Sequence, residues 1–493
     1  MPSTNHEIPI SANIKDIQQF MKERVGVGVS YDLGFRELIV LKSKTQLYYL
    51  NGMVDDYIIQ GIIKELVEIN DDESNRKKLY EIIENRLVNQ QVEVTKTMDE
   101  AVDQLLSGLI VIFINGEKHA FVVDVRNYPG RQPEEPDTER VVRGARDGYT
   151  ESVVVNNALT RKRIRDERLR NEMLKVGERS KTDVCVSYIQ DVANDDLVNL
   201  VKEKIRAIEI DGLTMTDKSL EEFMVDNKWD PFPLVRYTER PDVAANHLFK
   251  GYVIVTVDTS PSIIIFPTTY FDHLEHAEEY RQTPGVGTFI RWIRILAIMC
   301  SIFILPLWLL FVLDPSLLPE KLAFIGPNET GNIPIVVQIL LADIGVEFLR
   351  MAAVHTPSPL ATALGLIAAV LIGQIAVDVG MFSPEVILYV AISTIGSYVT
   401  PSYEMGVANK LLKLYLVLMT AFFGVIGFSI GFTTIIFYLA HLRSLKTPYL
   451  WPFLPFNAKA MYHFIFRIPV PYQNVRPSIV HPKDKYSQPA EKS

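Results

Sequence analysis

The heptapeptide Leu-Trp-Leu-Leu-Phe-Val-Leu, residues 307–313, ends the first of four long uncharged runs in the second half of the chain. The four runs cover residues 295–313, 351–377, 386–403 and 414–442. A helix of about 20 apolar residues crosses the hydrocarbon core of a bilayer and satisfies its own backbone hydrogen bonds there. The runs therefore predict an α-helical transmembrane bundle of four spans over residues 287–442. A large buried helical domain of a soluble protein is the alternative interpretation, because short apolar runs are ambiguous.

Three charged residues lie between these runs and share one face of a helix. Asp343, Glu347 and Arg350 follow the apolar residues 333–342 at spacings of four and three. A charge at the centre of a membrane helix costs about 2.5–3.5 kcal/mol, so residues 333–350 are predicted as a re-entrant or interfacial helix. If this segment is a fifth span, its charges must face other helices or water, and they become candidate pore residues. The alternative hypothesis is that Glu347 pairs with Arg350 and braces the fold.

The second run is rich in small residues, which allow helices to approach each other closely. They recur four apart from Gly365 to Gly373, and Gln374 and Asp378 add polar groups near the end of the run. Such small faces serve subunit packing more often than they line pores. If the protein has a pore, we predict that it follows residues 359–378, with the three charges near its mouth.

Charge is distributed unevenly along the chain. Residues 1–290 hold 36 Lys and Arg against 49 Asp and Glu, a net charge of −13, whereas residues 291–493 carry +4. Cys185 falls in the acidic front and Cys300 in the first apolar run, so a disulfide between them is not expected. The sequence therefore predicts an acidic, water-soluble front and an apolar rear.

Basic residues also predict the orientation in the membrane, because they concentrate on the cytoplasmic side. Arg281, Arg291 and Arg294 precede the first run, and acidic residues follow it. Residues 1–14 lack the basic cluster and apolar core of a signal peptide. Both termini are therefore predicted in the cytoplasm.

The last run conflicts with a simple count of spans. Lys410 and Lys413 predict a cytoplasmic loop before it, and Arg443 and Lys446 predict cytoplasmic chain after it. One straight span cannot begin and end on the same side of a membrane. The sequence leaves this conflict open.

Strand and helix patterns alternate in the acidic front. Residues 49–56 resemble residues 188–195, and in both a strand ends where an acidic or amide residue can cap the next helix. A hairpin pattern follows in each half, the first with Asn115-Gly116 at its turn. We therefore predict an α+β front with two related α/β subdomains, 30–125 and 180–286, in which helices pack on small mixed sheets. A chance likeness is the alternative.

The flanking segments are predicted as an N-terminal extension at 1–29, a linker with a basic helix at 126–179 and a cytoplasmic tail at 443–493.

Arginine is frequent in the predicted linker, where a helix is expected from about Ser152 to Arg168. Nucleic-acid binding is disfavoured because the front is acidic and Asp166 and Glu167 interrupt the basic run. A solvated helix face, or a contact with an acidic partner surface, is the preferred interpretation.

Motifs for catalysis are not found in the sequence. It contains no Gly-x-Ser-x-Gly elbow, no phosphate-binding loop and no His-Glu-x-x-His pattern. His273 and His276 lie near acidic residues, but the segment is predicted as an exposed acidic helix rather than a metal site. We therefore predict no enzyme activity, no metal and no cofactor.

Two motifs of the front resemble a known family. Residues 143–151, Arg-Gly-Ala-Arg-Asp-Gly-Tyr-Thr-Glu, resemble the Arg-Gly-Pro-Arg-Glu-Gly-Phe-Thr-Glu signature of the spore-germination receptor A-subunit family (GerA type), with Ala145 in place of the proline. Residues 237–246, Tyr-Thr-Glu-Arg-Pro-Asp-Val-Ala-Ala-Asn, fit the same family, as does the segment 444–453. The resemblance suggests a candidate assembly or coupling motif, made of Arg143, Gly144, Arg146, Gly148, Glu151, Glu239, Arg240, Pro241 and Asp242.

The resemblance implies a multi-pass membrane subunit of the spore inner membrane, with both termini in the spore core. It also implies that copies of the chain form a homo-oligomeric ion channel during germination, which is the leading hypothesis. A secondary transporter of an ion or amino acid, and a non-conducting scaffold or sensor, are the alternatives. The expected partners are membrane lipid, further copies of the chain and other germination membrane subunits, but not nucleic acid.

Overall fold

The structure is a computed structural model that describes residues 8–40, 42–68, 92–127, 139, 141–226, 228–327, 332–355 and 373–488. The chain divides into two units. Unit 1 comprises Met1–Lys228, Val235–Pro267 and Pro469–Ser493, and unit 2 comprises Trp229–Leu234 and Thr268–Ile468.

The first lobe of unit 1 is built on a five-stranded sheet. Its strands are β1 (Leu33–Val40), β2 (Ser43–Leu50), β3 (Val92–Thr95), β4 (Ile110–Ile114) and β5 (Ala120–Val123). They lie in the order β1-β2-β4-β5-β3, and every pairing is antiparallel. The associated helices are α1 (Ile14–Phe20), α2 (Asp56–Glu68) and α3 (Met98–Leu106). Because side chains alternate along a strand, α1 and α3 cover one face of the sheet and α2 covers the other.

The second lobe of unit 1 follows helix α4 (Val153–Arg163) and has its own five-stranded sheet. Its strands are β6 (Leu169–Val176), β7 (Thr182–Ile189), β8 (Arg236–Thr238), β9 (Val253–Val257) and β10 (Ile263–Phe266). Their order is β6-β7-β9-β10-β8, again with antiparallel pairing throughout. The helices of this lobe are α5 (Asp195–Arg206), α6 (Thr216–Met224) and α7 (Pro241–Phe249).

The two lobes have the same strand order. Two related subdomains, as predicted from the sequence, would share such an order. Two predicted details are wrong. Both sheets are antiparallel rather than mixed, because hairpins and returning helices bring each strand back beside its neighbour. The second lobe begins at Leu169, within the predicted linker, because all eight residues of β6 pair with β7.

Helix α4 is buried where the lobes meet. Arg161 is 1% exposed, and its Nε donates to the Oδ2 of Asp32 at 2.9 Å. The Nδ2 of Asn171 donates to the same carboxylate oxygen at 2.9 Å. The prediction of a solvated basic face is therefore wrong at Arg161, since the guanidinium neutralises a buried carboxylate. The helix also ends at Arg163, earlier than predicted.

The final described residues return to the second lobe. The Lys483 backbone amide donates to the Val192 carbonyl at 2.9 Å, and its Nζ lies 2.6 Å from the Asp195 carboxylate. The Arg476 Nε donates to the Phe249 carbonyl at 2.7 Å. The predicted tail is thus two segments, because residues up to Ile468 belong to unit 2 and the rest to unit 1.

In its described residues, unit 2 is helical apart from a short hairpin of β11 (Arg443–Ser444) and β12 (Thr447–Pro448). Its helices are α8 (Ala277–Arg281), α9 (Pro284–Leu313), α10 (Ile335–His355), α11 (Pro384–Tyr398), α12 (Tyr403–His441) and α13 (Ala458–Ile465). One apolar cluster that includes Trp308, Ile339, Val390 and Val417 joins α9, α10, α11 and α12. Among the described residues, α9 and α12 are long and apolar enough to cross a membrane.

Helix α12 reverses its direction at Gly424. This residue has φ 57° and ψ −135°, which interrupts the helix, and glycine adopts a positive φ without steric cost. A Cβ placed on Gly431 would lie 3.4 Å from the Cβ of Met419. Those residues would be about 18 Å apart along a straight helix. α12 is therefore a helical hairpin with two arms, residues 403–423 and 425–441.

The helix bounds change the predicted spans. The first predicted span, 295–313, lies within α9. The run 386–403 is divided, because α11 ends at Tyr398 and α12 begins after Pro401. The prediction of one straight span over 414–442 is wrong, because this run contains the reversal at Gly424. Of the run 351–377, residues 356–372 lie outside the described part of the chain.

Candidate functional site

The charges predicted at 343–350 meet two lysines of the first arm of α12. The Nζ of Lys413 lies 2.5 Å from the Oδ1 of Asp343, and the two residues are only 1% and 9% exposed. Lys410 donates to the Oε2 of Glu347 one turn away. The prediction that Lys410 and Lys413 mark a loop is wrong, because both are helical and point at carboxylates of α10.

Glu347 is shared between two cations. Its other oxygen accepts a hydrogen bond from Arg350, which is the pairing of the alternative hypothesis. The Arg350 guanidinium also lies 4.8 Å from the centre of the Tyr403 ring, at the beginning of α12. The charged cluster, defined as Asp343, Glu347, Arg350, Lys410 and Lys413, therefore contains three cations and two carboxylates.

The opposite face of α10 is apolar and exposed. Its exposed side chains are Val337, Leu341, Ile344 and Phe348, between 42% and 63% exposed. A soluble protein buries such residues and exposes its charges. The inverted pattern is typical of a membrane helix whose polar groups face the interior of a bundle.

Gln338 extends the polar side of α10 towards α11. It is fully buried; its Nε2 donates to the Ile333 carbonyl at 2.7 Å and its Oε1 accepts from the Ser383 amide at 2.8 Å. Ser383 immediately precedes α11, so this amide ties the beginning of α11 to α10. Sequence reasoning missed Gln338, although a single amide within the apolar residues 333–342 was a usable signal.

Gln374 and Asp378 are not part of the charged cluster. Residues 373–378 are helical, and both side chains are exposed. Within the described part of the chain, neither side chain has a hydrogen bond or ion pair. The pore path predicted over 359–378 lies mostly outside the described residues, so it stays a prediction.

A second group of buried charges lies at the beginning of α9. Glu279 is fully buried; its Oε2 is 2.6 Å from the Arg291 Nε, and its Oε1 pairs with Arg294. His273, on the same segment, is 4% exposed. The prediction of an exposed acidic helix is therefore wrong at Glu279, because its carboxylate is buried against Arg291 and Arg294. No group of three or more His, Cys, Asp or Glu among the described residues is placed to hold a metal ion.

The two family-like motifs of unit 1 form one structure around Arg240. This residue is 1% exposed, and its guanidinium donates to the Ala145 carbonyl at 3.1 Å and to the Asp242 carboxylate at 2.9 Å. The Tyr149 amide donates to the Glu239 carbonyl at 2.8 Å. Arg240 therefore holds the two motifs together.

The candidate coupling motif divides into a surface half and an inner half. The exposed members are Arg143, Gly144, Arg146 and Glu151, whereas Glu239 and Asp242 are half-buried and Gly148, Arg240 and Pro241 are buried. Arg240, in the inner half, holds the two motifs together, whereas the members of the surface half are exposed.

Comparison with known proteins gives matches over almost the whole chain. The family model of the Bacillus/Clostridium GerA spore germination protein matches residues 19–479. Within the family, the sequence resembles stage V sporulation protein AF of Bacillus subtilis (strain 168). The two are 57% identical over 490 residues, which covers 99% of both chains. Spore germination protein KA of the same organism is 29% identical over 483 residues, covering 96% of this chain and 88% of its own. Spore germination protein XA of Bacillus anthracis is 30% identical over 400 residues, covering 80% and 81%.

Part of the chain is also similar to a solved structure. It is the crystal structure of the N-terminal domain of the A subunit of the Bacillus megaterium spore germinant receptor GerK3. The identity is 24% and the TM-score is 0.42, and the match covers 53% of this chain and 97% of that one.

Proposed function

Because this chain belongs to the GerA family of spore germination proteins, we propose that it is a membrane subunit of a germination complex whose copies form an ion channel. The channel lies in the inner membrane of the spore and has no enzymatic activity. Its partners are lipid, further copies of the chain and other germination membrane subunits.

The observation that carries this proposal is the charged cluster between α10 and α12. Charged residues within membrane helices are rare and commonly mark ion pathways. Here Asp343 and Lys413 neutralise each other while buried, and Glu347 is half-buried between two cations. When the helices move, Glu347 exchanges partners, and a permeating cation then takes the place of Arg350 or Lys410 beside its carboxylate.

The helical hairpin supports the proposed orientation. Because its arms run in opposite directions, Arg443 and Lys446 return to the side from which α12 started. A hairpin begins and ends on the same side of a membrane, as the basic residues at both ends of the last run require, and this supports the proposal that both termini lie in the spore core. With both termini in the spore core, the four-span count of the proposal then comprises the two arms of α12, α9 and one further crossing between α9 and α12.

A non-conducting scaffold is the second candidate function. It is favoured by the pairing within the charged cluster, since salt bridges between Asp343 and Lys413 and around Glu347 brace two helices without any pore. In that case the membrane unit anchors unit 1, and the lobes carry the biological role.

Single-channel recording of the full-length protein in planar bilayers tests these candidates. We expect discrete conductance steps, and we expect Glu347→Gln to shift the reversal potential in a salt gradient because it removes a fixed negative charge. Asp378→Asn makes the same test at another of the five candidate pore residues. Glu320→Gln is the matched control, because Glu320 is exposed and lies outside the charged cluster. Saturable counterflow without conductance steps indicates a transporter, and electrical silence together with absence of counterflow indicates a scaffold.

A further inference from the structure

The chain after α12 has an unusual composition. Residues 443–468, the basic aromatic segment, contain four basic residues and no acidic residue, and seven of these 26 residues are Phe, Tyr or Trp. Arg443, Lys446 and Lys459 are exposed. The segment therefore presents positive charge without any neighbouring negative charge of its own.

Large apolar side chains of the same segment are also exposed. Phe453, Leu454, Phe456 and Tyr462 are 46%, 40%, 69% and 54% exposed. Contiguous exposed apolar groups rimmed by charges mark an interaction surface rather than ordinary protein surface. The combination of exposed aromatic rings and basic groups matches the boundary layer of a bilayer, where rings lie at the headgroup level and cations meet phosphates.

The basic aromatic segment is fixed against the first turns of α9. Arg291 donates to the carbonyls of His463 at 2.9 Å and Phe464 at 2.8 Å. The Trp292 Nε1 donates to the Ile465 carbonyl at 3.0 Å. α13 therefore lies beside the beginning of a helix that is long and apolar enough to span a membrane.

Helix α9 shows where this boundary falls. Its 30 residues extend for about 45 Å, which exceeds the hydrocarbon core of about 30 Å. Phe289 and Leu296 are 60% and 64% exposed on one side, whereas Arg291 and Arg294 on the other side are buried against Glu279. The first turns of α9 thus combine an apolar outer face with inner charges, as expected of a helix that enters lipid at this end.

We propose that the basic aromatic segment and the first turns of α9 form a collar that lies in the headgroup layer and binds anionic phospholipid. The exposed rings insert at the acyl boundary, and Arg443, Lys446 and Lys459 contact phosphate groups. The collar requires membrane insertion of α9, but it does not depend on ion conduction.

Spin labelling of the full-length protein in nanodiscs tests the insertion of the collar. The label is placed at Phe456→Cys in a Cys300→Ser background, and Cys185 does not interfere because it is fully buried. We expect the label to be more accessible to oxygen than to a water-soluble nickel complex. A label at Lys175→Cys, an exposed site of unit 1, is the aqueous control. Nickel access at Phe456 equal to that control overturns the proposal, and so does shielding from both reagents, which indicates a second protein copy on this surface.

The preference for anionic lipid is tested by changing charge without removing any ring. We expect phosphatidylglycerol added to phosphatidylcholine nanodiscs to lower nickel access at the Phe456 label. The double variant Lys446→Glu/Lys459→Glu should lose this shift. Lys64→Glu/Lys175→Glu makes the same charge change at exposed lysines of unit 1 and should keep it. An unchanged shift in the first double variant overturns the assignment of anionic lipid.

Discussion

Lys413 is the residue on which the charged cluster depends most. It is buried on the first arm of α12, 70 residues from its partner Asp343 in the sequence. Burial of either charge alone is costly, whereas the pair satisfies both. The position therefore accepts an ion pair or two apolar groups, but not one charge without the other.

A single variant and a double variant test this dependence. Lys413→Met leaves the Asp343 carboxylate buried without its cation, and we expect a loss of about 3–5 kcal/mol in the free energy of unfolding. Asp343→Leu/Lys413→Met removes both charges and should recover most of that loss. The measurement is denaturant unfolding of the full-length protein in detergent. Lys64→Met, at an exposed pair with Glu68, is the control and should cost little. A double variant as unstable as the single variant would contradict the buried pair.

His247 gives the second lobe a dependence on pH. Its Nδ1 lies 2.8 Å from the Val243 carbonyl within α7. Burial, reinforced by Arg236 and Lys250, holds the pKa of His247 well below its ordinary value of 6.5. The unfolded chain therefore takes up a proton near pH 6.5 that the folded lobe does not. Stability that is present above that pH is lost as the pH falls below it.

The variant His247→Gln should flatten this pH dependence between about pH 7 and pH 5. The wild-type melting temperature should fall as the pH is lowered over that range. The variant should have a lower melting temperature than the wild type at the upper end of the range, but this temperature should change less with pH. Thermal unfolding followed by circular dichroism provides the measurement. His441→Gln, at an exposed position, is expected to keep the wild-type slope. Equal slopes for wild type and His247→Gln would show that another group titrates.

Helix α12 shows why element length matters in a membrane unit. A straight helix of 39 residues would extend for about 58 Å, nearly twice the hydrocarbon core of about 30 Å. The reversal at Gly424 makes two arms, and the first, of 21 residues, is about 31 Å long. Gly427 allows the second arm to pack closely on the first, because a Cβ on Gly427 would overlap the Met419 carbonyl oxygen.

Disulfide formation tests the hairpin directly. Met419→Cys/Gly431→Cys should cross-link on mild oxidation, since the two Cβ positions are 3.4 Å apart, close to the usual Cβ separation in a disulfide. Mass spectrometry of the digested, Cys300→Ser protein detects the bond. Phe422→Cys/Phe437→Cys is the control and should not cross-link. Phe422 lies at the tip of the hairpin, at the end of the first arm, whereas Phe437 lies near the far end of the second arm. Failure of the first pair, with the protein inserted and folded, would favour a straight α12.

The whole molecule alternates between its two units along the chain. The chain leaves unit 1 after Pro267, and it returns at Pro469 after the helices of unit 2. Residues 469–488 then pack on the second lobe. Both termini therefore belong to the same unit. The proposed membrane insertion of unit 2 requires, for this reason, an even number of crossings between them.

Topology reporters test this requirement. Green fluorescent protein should be fluorescent when fused to either end, because it folds only in the cytoplasm. Alkaline phosphatase fused after Leu442 should be inactive, whereas fusion after Asp314, beyond the first predicted span, should be active. Active phosphatase after Leu442 would mean that α12 crosses the membrane without returning.

Much of the membrane unit and the family could be predicted from the sequence. The apolar run within α9, the one-sided spacing of Asp343, Glu347 and Arg350, and the family resemblance through residues 143–151 all depend on residues close together in the chain. The resemblance is confirmed by the family match over residues 19–479. The antiparallel order of the two sheets needed the structure, because strand patterns do not specify their partners.

The sequence by itself determined which segments are apolar and which family the chain belongs to, because hydropathy and short motifs are local properties. Only the tertiary structure decided that Lys413 neutralises Asp343, that α12 turns back at Gly424, and that the last described residues close on the second lobe. The physical reason is that each of these contacts joins distant parts of the chain or uses one glycine among 26. A carboxylate or a glycine has the same local sequence signal whether or not a partner reaches it.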